Sequence, residues 1–251
     1  MLGVVPAAGA GTRIQPLAFS KELLPVGVRL DEGTERPRAV SEYVVERLIA
    51  AGADRLCLVI SPGKSDILEY YGGSVAGVPV CYAVQPEPAG LCDAVFRALP
   101  FARPDETMAV GLPDTVWFPR DALAELPDDQ LALLLFPVSR PELFDAVLTD
   151  EHDAVVQVQV KSATPRTPWI WGAFKAPTAV MGHLHRLWQD SRDHYLGTLI
   201  NQYLARGGRA TAVRAGVSYV DVGTLNGYRE ALSLLASVPP PRPLGDERLA
   251  P

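Results

Sequence analysis

No stretch of eighteen apolar residues occurs in this chain, and its start does not read as a charged-then-apolar leader. Neither a membrane span nor a secretory signal is therefore expected. Cysteine is scarce: Cys57, Cys81 and Cys92 are odd in number and lie inside apolar segments. That predicts buried free thiols in a reducing compartment, the cytoplasm, rather than a disulfide framework. None of the three forms a Cys-x-x-Cys pair, and the close histidines His183 and His185 lack both i,i+4 spacing and a thiol neighbour, so zinc is not expected. Positive charge is also short. Lysine plus arginine number 23 against 29 aspartate plus glutamate, a formal net charge of −6, and no basic patch stands out. A nucleic-acid polymer is thereby disfavoured as ligand, whereas a mononucleotide needs only a few local cations.

What is present is enough apolar residue, 48% of 251, for one sizeable core. Residues 2 to 8 are apolar without alternation and run into Gly9, the pattern of a strand buried on both faces of a parallel sheet. Further strands are read at 55–60, 78–84 and 107–112. Between them lie helical patterns at 41–51, with Ser41 as N-cap and Gly52 as stop, at 66–71, and from Leu91 to Leu99. This alternation predicts an α/β fold, a doubly wound, mostly parallel, Rossmann-like mixed sheet with helices on both faces. Ligands of such sheets gather at the carboxyl ends of strands, and Gly9, Gln85 and Asp114 all fall there.

Beyond residue 125 the pattern loosens, with strands read at 131–137, 154–161, 169–174 and 213–221 and helices at 142–148, 195–205 and 225–235. No repeat or linker is evident, so residues 1–237 are taken as one domain with halves of about 1–125 and 126–237. Five prolines within 238–251 predict an exposed tail.

A strand that feeds Ala7-Ala8-Gly9-Ala10-Gly11-Thr12-Arg13 delivers backbone N–H groups and a cation to one place, as a phosphate requires. Two commoner fingerprints fail. The dinucleotide motif needs a small residue where Ile14 stands, and Gly63-Lys64-Ser65 lacks the P-loop glycine five residues earlier, where Leu58 stands.

What remains is Gly9-Ala10-Gly11-Thr12-Arg13, then Pro16-Leu17, then Lys21-Glu22-Leu23-Leu24-Pro25. On these motifs the chain resembles the sugar-1-phosphate nucleotidyltransferases, the family of glucose-1-phosphate thymidylyltransferase and UDP-glucose pyrophosphorylase. The resemblance covers about residues 2 to 235, strongly in the first half and weakly between 125 and 210. It implies the nucleotidyltransferase type of fold. The implied reaction moves a nucleoside monophosphate from a triphosphate, dTTP or UTP favoured, to a sugar 1-phosphate, and releases pyrophosphate.

The same resemblance assigns roles. Ala7, Ala8, Gly9, Ala10, Gly11 and Thr12 would cradle the triphosphate, and Arg13, Lys21 and Asp114 would form the catalytic set. Gln85 and Gly90, in Gln85-Pro86-x-Pro88-x-Gly90-Leu91, would read the base, since a glutamine amide offers both donor and acceptor. Asp114, in Gly111-Leu112-Pro113-Asp114-Thr115, and Asp221, in Val220-Asp221-Val222-Gly223-Thr224, would hold Mg²⁺ with the phosphate oxygens. Pro113 departs from the small residue usual there. On the acceptor side Lys161, Trp171 and Gly172 are the candidates, although the family's Glu-Lys-Pro is replaced by Gln159-Val160-Lys161-Ser162. That loss keeps two alternatives open: a CTP-dependent transferase for a non-sugar phosphate or phosphonate, and a non-catalytic nucleotide-binding sensor. A homo-oligomer is compatible with the sequence but not dictated by it.

Overall fold

The first strand, β1 (Leu2–Pro6), is buried at every position, and the rest of the sheet is laid out from it. The computed structural model describes residues 1–237; the segment 238–251, read above as an exposed tail, lies outside the described residues. After β1 come a hairpin, β2 (Pro25–Asp31) and β3 (Thr34–Ala39), then α1 (Val40–Ala50), β4 (Arg55–Ile60), α2 (Ser65–Tyr71), the short β5 (Ser74–Val75) and β6 (Val78–Val84). Next are α3 (Gly90–Arg97), β7 (Thr107–Gly111), β8 (Thr115–Phe118), β9 (Leu131–Pro137), β10 (Ala146–Thr149), β11 (Val155–Gln159) and β12 (Trp169–Pro177). The chain continues through α4 (Thr178–Ser191), α5 (Leu196–Ala205), β13 (Ala210–Val213), β14 (Ser218–Asp221) and α6 (Leu225–Ala236).

Strands β7, β1, β4 and β6 form the parallel heart of a ten-stranded mixed sheet of order β11-β10-β12-β7-β1-β4-β6-β5, with β9 paired to β12 and β13 to β9. The chain builds outward from β1 through β4 to β6, then crosses back to place β7 on the other flank of β1. That reversal is the topological switch of a doubly wound sheet, where the loops after β1 and β7 diverge and leave a crevice. Period-two alternation splits the sheet's side chains between two cores: Leu131, Leu133 and Leu135 of β9 face one, Ala132, Leu134 and Phe136 the other. A third cluster, including Val26, Tyr43, Val116, Val220 and Ala231, packs the hairpin and a β8–β14 ribbon against α1 and α6.

Several readings need correction. Residues 142–148 are not a helix but a single 3₁₀ turn, Pro141–Leu143, followed by β10; the apolar run is too short to fix its own period, and pairing with β11 and β12 makes it a strand. The segment 213–221 is not one strand: β13 ends at Val213, the chain breaks at 214–217, where Gly216 packs against Phe136 and Leu135, and β14 leaves the main sheet to pair with β8. Ser41 does not cap α1; its hydroxyl meets the Tyr71 hydroxyl at 2.6 Å, while the Glu42 carboxylate accepts the Ala39 N–H. The hairpin, β8 and α4 were not anticipated, α4 because Gly182, His183 and His185 interrupt the buried series Met181, Leu184, Leu187 and Trp188. Among the described residues no helix is long and apolar enough to cross a membrane.

Candidate active site

The loop after β1 is shaped by glycine and lysine. Gly11 has φ +65, and a Cβ there would lie 2.7 Å from Lys21 Cδ, so only glycine lets this loop rest on the lysine stem. Lys21 opens a 3₁₀ turn, Lys21–Leu23, whose start is pinned by Asp66: its Oδ2 accepts the Ser20 N–H and its Oδ1 the Ser20 hydroxyl, both at 2.6 Å. Below the loop, the Lys64 ammonium donates to the carbonyls of Ala7 (2.6 Å) and Gly9 (2.7 Å) and to both oxygens of the buried Glu22. Burial pushes the Glu22 carboxyl above its ordinary value, with Lys64 pulling it back, and burial pushes Lys64 down, with Glu22 opposing.

Two carboxylates face this loop. Asp114 follows β7, and its Oδ2 accepts from Lys21 Nζ at 2.5 Å. Burial alone would raise that carboxyl, but the Lys21 charge and hydrogen bond, with Arg13 nearby, hold it below the usual carboxylate range. Asp221 ends β14, and its Oδ2 accepts from Arg13 Nη1 and Nη2, each at 3.2 Å. The β8–β14 ribbon joins the two, since Asp221 pairs with Thr115 and the Val222 N–H donates to the Asp114 carbonyl at 2.8 Å. Its own anchor is Arg47 of α1, a fully buried guanidinium that donates to the Trp117 carbonyl through Nε (3.0 Å) and Nη2 and to the Tyr43 carbonyl through Nη1 (2.7 Å).

The pairs bring four charges to the mouth of a cavity of about 820 Å³ that Gly9, Arg13, Lys21, Gln85, Gly90, Asp114, Lys161, Trp171 and Asp221 help to line. Among the described residues no group of three or more metal-ligating side chains converges, yet the two carboxylates do. Asp221 Oδ1 and Asp114 Oδ2 lie 2.7 and 3.3 Å from the point a Gly223 Cβ would occupy, with Arg13 Nη2 at 2.8 Å from the same point. Hard oxygen donors this close suit a cation that takes its remaining ligands from phosphate and water.

A family model of nucleotidyl transferases matches residues 2–237 of the chain. The chain belongs to the nucleotidyl transferase family. It is 27% identical over 249 residues to the glucose-1-phosphate thymidylyltransferase of Mycolicibacterium smegmatis, covering 95% of this chain and 83% of that protein. It is 26% identical over 234 residues to the UTP–glucose-1-phosphate uridylyltransferase AglF of Haloferax volcanii, covering 89% and 91%. Among solved structures, a Bacillus anthracis protein crystallised with sucrose superposes with a TM-score of 0.81 over 97% of this chain and 99% of that one, at 21% identity. That likeness speaks for the shared fold.

The structure of this nucleotidyl transferase sorts the remaining sequence candidates. Ala7 and Ala8 are buried beneath the loop and, like Ala10, Gly11 and Thr12, are not among the residues lining the cavity, whereas Gly9 and Arg13 are. Gly172 is not among them either; a Cβ there would sit 2.4 Å from Tyr219 and 2.7 Å from Phe136, so its small size serves packing. Trp171 lines the cavity with only 8% of its surface exposed and stacks edge-on against Phe174. Lys161 stands with φ +45, its N–H on Asp145 Oδ1 at 3.1 Å, and Gln159 accepts from the Arg166 N–H within its own turn. The sequence reading did not single out Glu22, Lys64, Asp93, Asp145 or Tyr195 as site residues. The one available signal was the failed P-loop match at Gly63-Lys64-Ser65, whose lysine does serve the phosphate-type loop, but by holding its carbonyls from below.

Proposed function

We propose that this nucleotidyl transferase transfers a nucleoside monophosphate from dTTP or UTP to a sugar 1-phosphate. The observation that carries the reading is the convergence of Lys21–Asp114 and Arg13–Asp221 on the glycine loop at the sheet's switch point. An acceptor phosphate oxygen would attack the α-phosphorus in line, forming the new O–P bond as the bond to the bridging oxygen breaks and pyrophosphate departs. No protein nucleophile is needed, so the work is positioning and charge neutralisation.

In this reading Arg13 and Lys21 neutralise the triphosphate and the departing pyrophosphate. Ala7 to Thr12 form the cradle, with Gly9 at the cavity and the neighbouring residues setting the loop's course. Gln85 and Gly90 take the base. Asp114 and Asp221 would hold Mg²⁺, which supplies positive charge to phosphate oxygens when bound. The first half, about 1–125, carries the nucleotide and the second, about 126–237, the acceptor, with Lys161 near its phosphate and Trp171 walling the sugar pocket. With Cys57, Cys81 and Cys92 all free thiols, the cytoplasm is the proposed setting.

One observation favours a second acceptor class. Leu143, Phe144, Tyr195 and Leu196 line the acceptor side together with a single Lys161–Asp145 pair, an apolar wall that also suits a non-sugar phosphate or phosphonate. The test is pyrophosphate release by purified protein with Mg²⁺ across dTTP, UTP and CTP against a panel of sugar 1-phosphates and alcohol phosphates. Release with a sugar 1-phosphate and loss of it in Asp114→Asn, with folding retained, are expected; no release with any pair would leave a nucleotide sensor and end the catalytic reading.

A further inference from the structure

Gln85 follows directly on β6, 2% exposed, with its backbone N–H on the Ile60 carbonyl at 2.9 Å. Its side-chain amide is held in one orientation. Nε2 donates to the Gly90 carbonyl at 3.0 Å and to Asp93 Oδ2 at 2.8 Å, and a carbonyl and a carboxylate are both acceptors. Turning the amide over would set Oε1 against two oxygens and lose both bonds. Arg97, one helical turn further along α3, grips the same carboxylate through Nε to Oδ2 and Nη2 to Oδ1, each at 3.2 Å. Both Gln85 N–H groups are thus consumed, while Oε1 takes no hydrogen bond from any described residue and is not sealed off as a buried orphan. Gln85 lines the cavity, so what it offers a ligand there is an acceptor alone.

We infer that Asp93 is the positioning residue that sets base preference: by fixing the Gln85 amide it leaves only Oε1 for the base and selects a ring N–H donor. Uracil and thymine carry such a donor at N3; cytosine carries a lone pair at the same place, and two acceptors facing each other in a closed site leave both unsatisfied. This rests on the nucleotide-binding reading above and adds a residue whose carboxylate acts through Gln85. The glutamine amide could in principle serve either base, and Asp93 removes that ambiguity.

The test titrates the full chain with Mg²⁺ and dTTP, UTP, CTP or pyrophosphate by calorimetry, with no acceptor present. Wild type should bind dTTP and UTP about tenfold or more tightly than CTP, the cost of one mismatched buried hydrogen bond. In Asp93→Asn, whose amide can donate to Oε1, the dTTP-to-CTP ratio should fall severalfold while pyrophosphate, which has no base, binds as before. Equal wild-type affinity for CTP and dTTP overturns the inference without any variant. Parallel weakening of dTTP, CTP and pyrophosphate in Asp93→Asn also overturns it, because that is what a merely structural role would give. Wild type that binds no triphosphate and no pyrophosphate overturns the nucleotide-binding reading itself, and this inference falls with it.

Discussion

Lys64 Nζ lies 2.8 and 2.7 Å from the two carboxylate oxygens of Glu22 while also holding the carbonyls of Ala7 and Gly9. One ammonium therefore compensates a buried acid and fixes the course of the loop. Lys64→Met should destabilise the protein by about 3–5 kcal/mol, because it strands a buried charge. Burial already raises the Glu22 carboxyl and Lys64 lowers it, so removing Lys64 raises it further. A group with a raised folded pKa favours the folded state below its unfolded value and loses that advantage as pH climbs through the folded one. The deficit in urea midpoint against wild type should accordingly be smaller at pH 5 than at pH 8.

Gly223 lies where Asp221, Asp114 and Arg13 come together. A methyl group there would stand 2.7 Å from Asp221 Oδ1, 2.8 Å from Arg13 Nη2 and 3.3 Å from Asp114 Oδ2. Gly223→Ala should lower kcat by about a hundredfold, the scale of an ångström-sized displacement in a charged site. Its melting temperature should stay close to wild type, since the contacts displaced are with side-chain ends. Steady-state pyrophosphate release and a thermal melt, run side by side, check both halves.

Arg47 ties α1 to the ribbon that carries both acids. A lysine cannot reproduce its planar reach to the Trp117 and Tyr43 carbonyls. Arg47→Lys is expected to cost about 1–3 kcal/mol in urea unfolding through the carbonyl left short of a donor. It should also lower kcat, although Arg47 is not among the residues lining the cavity.

Gly172 offers a contrast with Gly223. Its missing side chain makes room for Tyr219 and Phe136, so Gly172→Ala should reduce stability by about 1–3 kcal/mol through overpacking. The KM for the acceptor should be unchanged. A selective rise in that KM with stability intact would restore Gly172 to the acceptor pocket.

Strand residues 55–60 and 78–84 were legible to the residue, the first because a parallel strand buried on both faces leaves an unbroken apolar run, the second because its apolar run is bounded by turn signals although all of it but Ala83 is exposed or half-exposed. Arg13, Lys21, Asp114 and Asp221 were legible because their neighbours form dense local motifs. The Lys64–Glu22 and Asp93–Gln85 contacts were not, since neither partner's own surroundings name the other; the first exists because β1 and β4 lie side by side and bring together the segments that follow them, the second because the loop after β6 returns α3 against the end of that strand. The β2–β3 hairpin stayed hidden for a different reason: most of its residues are exposed or half-exposed, so it lacks the apolar pattern from which strands are read. Gly172 could not be sorted from the sequence, because a glycine kept for packing and a glycine kept for a ligand look alike there; its close neighbours Tyr219 and Phe136 come from distant segments.

The β8–β14 ribbon has a bearing on how the protein is made. Arg13 and Lys21 leave the ribosome before Asp114, and Asp221 follows 208 positions after Arg13. Until β14 has emerged and zipped onto β8, the nascent chain has a glycine loop and one acid but no second carboxylate, and Arg13 has no partner there. The site is completed only once β14 has been made, so a truncated product ending before residue 221 would carry most of the sheet without the paired acids.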